Sequence, residues 1–245
     1  MPKLNIITPF YNGWQLTKSY IEDLSRLDEQ HKIILIDNGS TDDSFDKAVE
    51  LIKQIEHKCK FMVLHNETNK GFSRANNRAY KFIEEDSVGV LFLNNDIRVL
   101  GKHLNDWTSP IFEAIDKNPN TLFSPTAGLI DDNFNFIYET KKPDYKWNYL
   151  SGWCLFGSVE VFNKICADLD TGDGPWYSFD KDHLAYFEDN YMSFQAKKLR
   201  IDLKIIDLNV IHLGRQTGKK MNLPLMYNSA RDKFIKEFKA KGFAL

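Results

Sequence analysis

Three cysteines in 245 residues are few, and their odd number makes a poor disulfide framework. Cys59, Cys154 and Cys166 show no CxxC spacing, so reduced thiols in or near a core are expected, in a cytoplasmic protein. Long apolar runs are missing too: no stretch approaches the roughly 20 residues that cross a bilayer. Met1-Pro2-Lys3-Leu4-Asn5 enters a strand-like run at once, without the apolar segment of a signal peptide. No transmembrane segment is therefore expected, and peripheral contact with a membrane stays open because it needs no span. Positive charge is not in excess: 32 basic and 34 acidic residues give a net charge of −2, so no nucleic-acid partner is expected. No GxGxxG follows the first strand-like run, which counts against a Rossmann dehydrogenase.

What is present is an ordinary soluble composition, 42% hydrophobic and 27% charged, on a chain long enough for one large α/β domain. The first hundred residues alternate. Leu4–Ile7, Lys32–Ile36, Phe61–Leu64 and Val88–Leu93 read as strands, and the aliphatic run at Lys32–Ile36 suits a strand buried on both faces. Between them, Trp14–Leu27, Asp42–Ile55 and Phe72–Glu85 read as helices, with Thr41 or Asp42 able to cap the second. This rhythm predicts a mostly parallel sheet with right-handed crossovers. After residue 100 it breaks. Leu104–Lys117 reads as a helix, and residues 121–157 as short, partly antiparallel strands. Val159–Ala167, Asn190–Leu199 and Pro224–Lys241 read as helices, with one or two strands in Leu203–Ile211. No internal repeat, low-complexity tract or linker interrupts the chain.

Four short segments carry the chemistry: Thr8-Pro9-Phe10-Tyr11-Asn12, Asp37-Asn38-Gly39-Ser40-Thr41-Asp42, Asn94-Asn95-Asp96 and Phe187-Glu188-Asp189. Three of them directly follow strand-like runs, where ligands bind in parallel α/β sheets. The fourth puts two acids at the head of a helix, where they also interact favourably with the helix dipole. Asp-Asn-Gly-Ser is good turn chemistry in its own right. Gly71 precedes a helix whose free N–H groups can face a phosphate. Asn76-Asn77 is unusual inside a helix, so one of the pair should have a hydrogen-bonding role.

With Asn69-Lys70-Gly71-Phe72-Ser73-Arg74-Ala75-Asn76-Asn77, Gly152-Trp153-Cys154-Leu155-Phe156 and His212-Leu213-Gly214 added, residues 3–215 resemble the family 2 glycosyltransferases. The resemblance implies a GT-A fold: a Rossmann-like, mostly parallel sheet flanked by helices, with a smaller partly antiparallel acceptor-side region. It implies a single domain with a nucleotide-sugar-binding half (1–100), an acceptor and catalytic half (101–215) and a C-terminal helical extension (216–245). It implies inverting transfer from a nucleotide-diphospho-sugar donor, with UDP or dTDP as carrier, to a glycan or glycoconjugate acceptor, with Mn²⁺ or Mg²⁺.

The family pattern assigns roles residue by residue. Asp37 would accept the imino N–H of a uracil or thymine, with Thr8, Pro9 and Tyr11 lining the same pocket. Asn94-Asn95-Asp96 stands where the family carries its DxD motif, so Asp96 would bind the metal and Asn95 the ribose. Asn94 departs from the acid often found first in that motif. His212 would complete the metal site, and Arg215 and Lys219 would hold the diphosphate. Arg74 would join the donor contacts. Asp189 aligns with the general base, and Glu188 would orient it or bind the acceptor. Trp153, Trp176 and Tyr177 are candidates for stacking on an acceptor sugar. A non-catalytic nucleotide or sugar binder on the same scaffold is the alternative. A sugar nucleotidyltransferase is a weaker one, because the loop after the first strand has one glycine and no basic residue.

Overall fold

The aliphatic runs become neighbouring parallel strands. The computed structural model describes residues 3–27, 31–101, 104–169, 173–214 and 223–245. Strands β1 (Leu4–Phe10), β2 (Lys32–Asp37), β3 (Lys60–His65) and β4 (Gly89–Leu93) pair in parallel, with β1 between β2 and β4. Adjacent residues point to opposite faces. Ile7, Ile34 and Phe92 enter one core, and Ile6, Ile33 and Leu91 the other. Burial on both faces explains why these strands read as unbroken apolar runs.

Helices α1 (Trp14–Ser25) and α2 (Ser44–Gln54) contribute Ile21, Leu24 and Ala48 to the second core, and α3 (Phe72–Tyr80) contributes Ala75 and Ala79 to the first. Two helices are shorter than their sequence patterns by more than a turn. The chain leaves α3 early because the Asn5 side chain takes both the N–H and the carbonyl of Glu84. α4 (Ser109–Lys117) starts late, at Pro110 in its first turn, where a missing N–H does no harm.

The second half completes the same sheet. β10 (Cys154–Ser158) inserts antiparallel between β4 and β6 (Thr121–Ser124), and β11 (Asp202–Ile205) adds outside β6. The seven strands run β11-β6-β10-β4-β1-β2-β3. β7 (Ala127–Ile130), β8 (Phe136–Thr140) and β9 (Tyr149–Leu150) form a small antiparallel sheet. A strand that the sequence does not announce, β5 (Ile97–Val99), pairs with β12 (Val210–His212). α5 (Val159–Leu169) and α6 (Glu188–Lys198) join the first core. α7 (Leu223–Lys241) docks there too, through Phe234 and Phe238 against Phe134, Phe187 and Phe194. All three cysteines stand outside any disulfide. Among the described residues, no helix is long and apolar enough to cross a membrane.

Candidate active site

The loops after β1, β2 and β3 are stitched to one another. Asn12 Oδ1 accepts the Thr41 N–H at 2.7 Å, and Asp42 Oδ2 accepts the Gly13 N–H at 2.9 Å. The other Asp42 oxygen accepts the Ser44 N–H at 3.0 Å, but the N-cap of α2 is Asp43, which makes no side-chain cap bond, so neither Thr41 nor Asp42 is the N-cap. Asn38 takes the Lys70 N–H and donates to Asn69. Gly39 has φ +79°, and a Cβ there would lie 2.4 Å from the Thr68 backbone, so only glycine fits. Asp37 is fully buried. Its carboxylate accepts from the Ser40 hydroxyl and N–H and from His65 Nδ1 at 2.7 Å. A base can reach Asp37 only by displacing one of these partners. The Thr8 hydroxyl is buried against that of Tyr20.

Asp96 meets His212 by strand register. His212 stands opposite Ile97 in the β5–β12 pair, which brings its Nε2 to 3.0 Å from Asp96 Oδ1. The imidazole stacks on Trp153, with centroids 4.8 Å apart and planes within 9°. Trp153 Nε1 donates to Thr126 Oγ1 at 2.8 Å and to Glu139 Oε1 at 3.1 Å. Among the described residues, no three His, Cys, Asp or Glu side chains converge to hold a metal. One carboxylate and one imidazole still suit a cation that takes its remaining ligands from water and substrate phosphates. Asn95 is buried and bonds to Thr17.

A cavity of about 710 Å³ opens beside this pair. His212 and Trp153 form part of one wall, and Glu188 and Asp189, at the start of α6, form another. Two successive non-glycine residues with positive φ, Tyr186 (82°) and Phe187 (65°), turn the chain into that helix. Such residues cost on the order of 1–3 kcal/mol each and persist where packing dictates them. Phe187 is held between Tyr227 and Phe234 of α7. Asp189 Oδ2 accepts the Gly152 N–H at 3.1 Å and Oδ1 the Asn190 N–H at 2.9 Å. Burial still outweighs these bonds and pushes the Asp189 carboxyl up to about 6, with the nearby Glu139 charge adding to the effect. Glu188 is buried; among the described residues its Oε2 has no hydrogen-bond partner and lies 3.7 Å from His183 Nε2. Burial, then the charge of Asp189, pushes its carboxyl up to about 8.

The cavity thus gathers Glu188, Asp189, His212 and Trp153, with Asp96 behind His212. Thr8, Pro9, Tyr11, Asp37, Arg74 and Asn95 do not line it. Arg74 ties α3 to the later chain through the carbonyls of Lys70 and Lys181. The N-terminus of α3 is covered rather than open to a phosphate: the Phe72 N–H bonds to Leu184 O at 2.8 Å, and a Cβ on Gly71 would sit 2.3 Å from His183 O. Trp176 and Tyr177 also lie away from the cavity. Trp176 is buried edge-on against Phe72 and Phe92, and Tyr177 stacks on Tyr191. Asn77 fixes the Trp176 backbone from both sides, through bonds of 2.7 and 2.9 Å, which accounts for an asparagine inside a helix. Arg215 and Lys219 lie outside the described residues. Glu139 lines the cavity but belongs to none of the four segments. Its only sequence signal is an acid in the β-rich run Phe136-Ile137-Tyr138-Glu139-Thr140.

Several solved structures share this fold. The mannosyltransferase PcManGT from Pyrobaculum calidifontis, in complex with GDP-Man and Mn²⁺, has TM-score 0.58 at 13% identity over 84% of this chain and 55% of its own. TarS residues 1–349 from S. aureus has TM-score 0.53 at 20% identity over 79% of this chain and 55% of its own. The same TarS fragment in complex with UDP has TM-score 0.52 at 20% identity, over 79% and 54% of the two chains. The chain therefore spans about half the length of these relatives. Comparison with curated protein sequences gives no match. The family model for Glycosyl transferase family 2 matches residues 5–169, two thirds of the sequence, and the chain belongs to that family.

Proposed function

We propose that this chain transfers a sugar from a nucleotide diphosphate donor to a hydroxyl of a glycan or glycoconjugate, with inversion, and that Asp189 is the general base. One observation carries the reading. Asp189 is a carboxylate on the cavity wall, fixed by two backbone N–H groups and pushed up to about 6. A base poised near neutrality is ionised enough to act and basic enough to take a proton. The acceptor oxygen would attack the anomeric carbon while its proton passes to Asp189. The bond from that carbon to the diphosphate oxygen breaks on the opposite side, and the electron pair leaves with the diphosphate.

Asp96 and His212 would hold Mn²⁺ or Mg²⁺, which supplies a Lewis acid for the leaving diphosphate. Opening their hydrogen bond frees a carboxylate oxygen and a ring nitrogen for the ion. UDP or dTDP is the proposed carrier, because a carboxylate such as Asp37 only accepts hydrogen bonds and suits an imide N–H. Thermal unfolding with UDP, dTDP, GDP and CDP, each with and without Mn²⁺, tests this. A ligand at 100 times its dissociation constant stabilises a fold by about 2.7 kcal/mol. The expected result is a metal-dependent shift with UDP or dTDP that Asp96→Ala removes. The absence of a shift with any of the four nucleotides overturns the reading.

A further inference from the structure

Glu139 is held as few surface glutamates are. Its Oε1 accepts from three donors on two separate segments: Thr126 Oγ1 at 2.7 Å, and Trp153 Nε1 at 3.1 Å with the Ser151 hydroxyl in the loop between β9 and β10. Among the described residues its Oε2 accepts no hydrogen bond, and the residue is exposed on the cavity wall. Fixing a glutamate rotamer costs up to about 2 kcal/mol, and an exposed position gives no reason to do so unless the free oxygen must point in one direction. Oε2 is therefore a placed acceptor facing the space that Asp189 also faces. Glu188 lines the same cavity: it is 6% exposed, and its Oε2 lies 3.7 Å from His183 Nε2 with no hydrogen bond among the described residues. The remaining wall near Glu139 includes Ile130, Phe136 and Tyr149. Fixed polar groups beside apolar and aromatic faces match a pyranose, which has hydroxyls at its edge and C–H groups on its face.

We infer that Glu139 Oε2 binds a hydroxyl of the acceptor sugar next to the one that Asp189 deprotonates, and so selects an uncharged ring over one carrying a carboxylate there. This rests on the glycosyltransferase reading above and names a specificity-determining residue for it. A carboxylate of the acceptor would face a fixed like charge, whereas a hydroxyl would give a charge-assisted bond.

The test is binding without donor. 4-Nitrophenyl β-glucoside, β-galactoside and N-acetyl-β-glucosaminide are titrated by NMR alongside 4-nitrophenyl β-glucuronide. At least one neutral glycoside should bind about tenfold more tightly than the glucuronide, the ratio that a charge-assisted bond can supply. Glu139→Gln keeps an oxygen for the three donors and removes the charge. It should weaken the neutral glycoside and bring the glucuronide within about threefold of it. Glu139→Asp keeps the charge but withdraws the oxygen, so neutral binding should weaken while the glucuronide stays excluded. An unchanged melting temperature in Glu139→Gln shows that the fold is intact. The inference is overturned if no glycoside binds, if neutral and anionic rings bind alike, or if Glu139→Gln changes neither affinity. Failed turnover with intact glycoside discrimination would sink the enzymatic reading instead, so the two failures are distinguishable.

Discussion

The loops around the carboxyl ends of β1 and β2 and the cavity behind α6 treat their polar groups in opposite ways. In the first region nearly every side chain is answered by a neighbour: Asp37 by Ser40 and His65, Asn38 by Asn69 and Lys70, Asn12 by Thr41. In the second, Glu188 Oε2 has no hydrogen bond among the described residues and only His183 Nε2 at 3.7 Å, Glu139 stands exposed on the cavity wall, and Asp189 is held well above the usual carboxylate range. Satisfied networks fix a shape, whereas open and perturbed groups mark where a ligand or a proton has still to arrive. The contrast sets rigidity on the proposed nucleotide side against reactivity on the proposed acceptor side.

The contrast breaks most sharply at Asp189. Asp189→Asn should lower turnover by about 10²–10⁴-fold, the usual range for a general base, with the nucleotide-induced melting shift retained. A loss below tenfold, measured in steady state, would move the base elsewhere. Next comes His212, on the border between the regions. His212→Ala should weaken Mn²⁺ affinity and so raise, by about 10–100-fold, the Mn²⁺ concentration giving half the nucleotide-induced thermal shift. An unchanged Mn²⁺ midpoint would leave Asp96 without that partner.

On the satisfied side, Asn77→Ala removes both bonds to the Trp176 backbone and strands its N–H in the core. The expected cost is about 1–3 kcal/mol in denaturant unfolding. A smaller loss would mean that water replaces the asparagine. The smallest effect sharpens the open side. Glu188 binds its proton more tightly when folded, moving from 4.5 to about 8, so the folded state carries extra protons between those values. Stability should therefore be highest below about pH 4.5, as far as this group is concerned, and fall as pH rises to about 8. Glu188→Gln should flatten that fall in melting temperature across pH 5–8. A parallel pair of curves would rule out the buried carboxyl as its source. Turnover should run the other way, rising through about pH 6 as Asp189 ionises.

The parallel half of the sheet was legible because burial on both faces writes itself as aliphatic runs, as in Ile33-Ile34-Leu35-Ile36. The acids at the head of α6 were legible as a motif. Other features were not, and each has a tertiary cause. β5 is three residues long and exists through its pairing with β12, yet that register is what brings His212 to Asp96. Glu139 gains its meaning from Thr126, Ser151 and Trp153, all at least 12 residues away. Trp176 looked like a stacking platform, and a two-way bond from Asn77, 99 residues earlier, turns it inward. Local pattern cannot carry such long-range bonds.

The place of β10 in the sheet has a consequence for the chain as it emerges during synthesis. β4 is buried along all five of its residues, and one of its two edges belongs to a strand made some 60 residues later. Until Cys154–Ser158 arrives, a finished parallel half offers an open apolar edge to any other chain nearby. A chain arrested before residue 154 should therefore self-associate, visible as light scattering that the full chain does not show. Late insertion of a central strand leaves the middle of this sheet open until well into the second half of the chain.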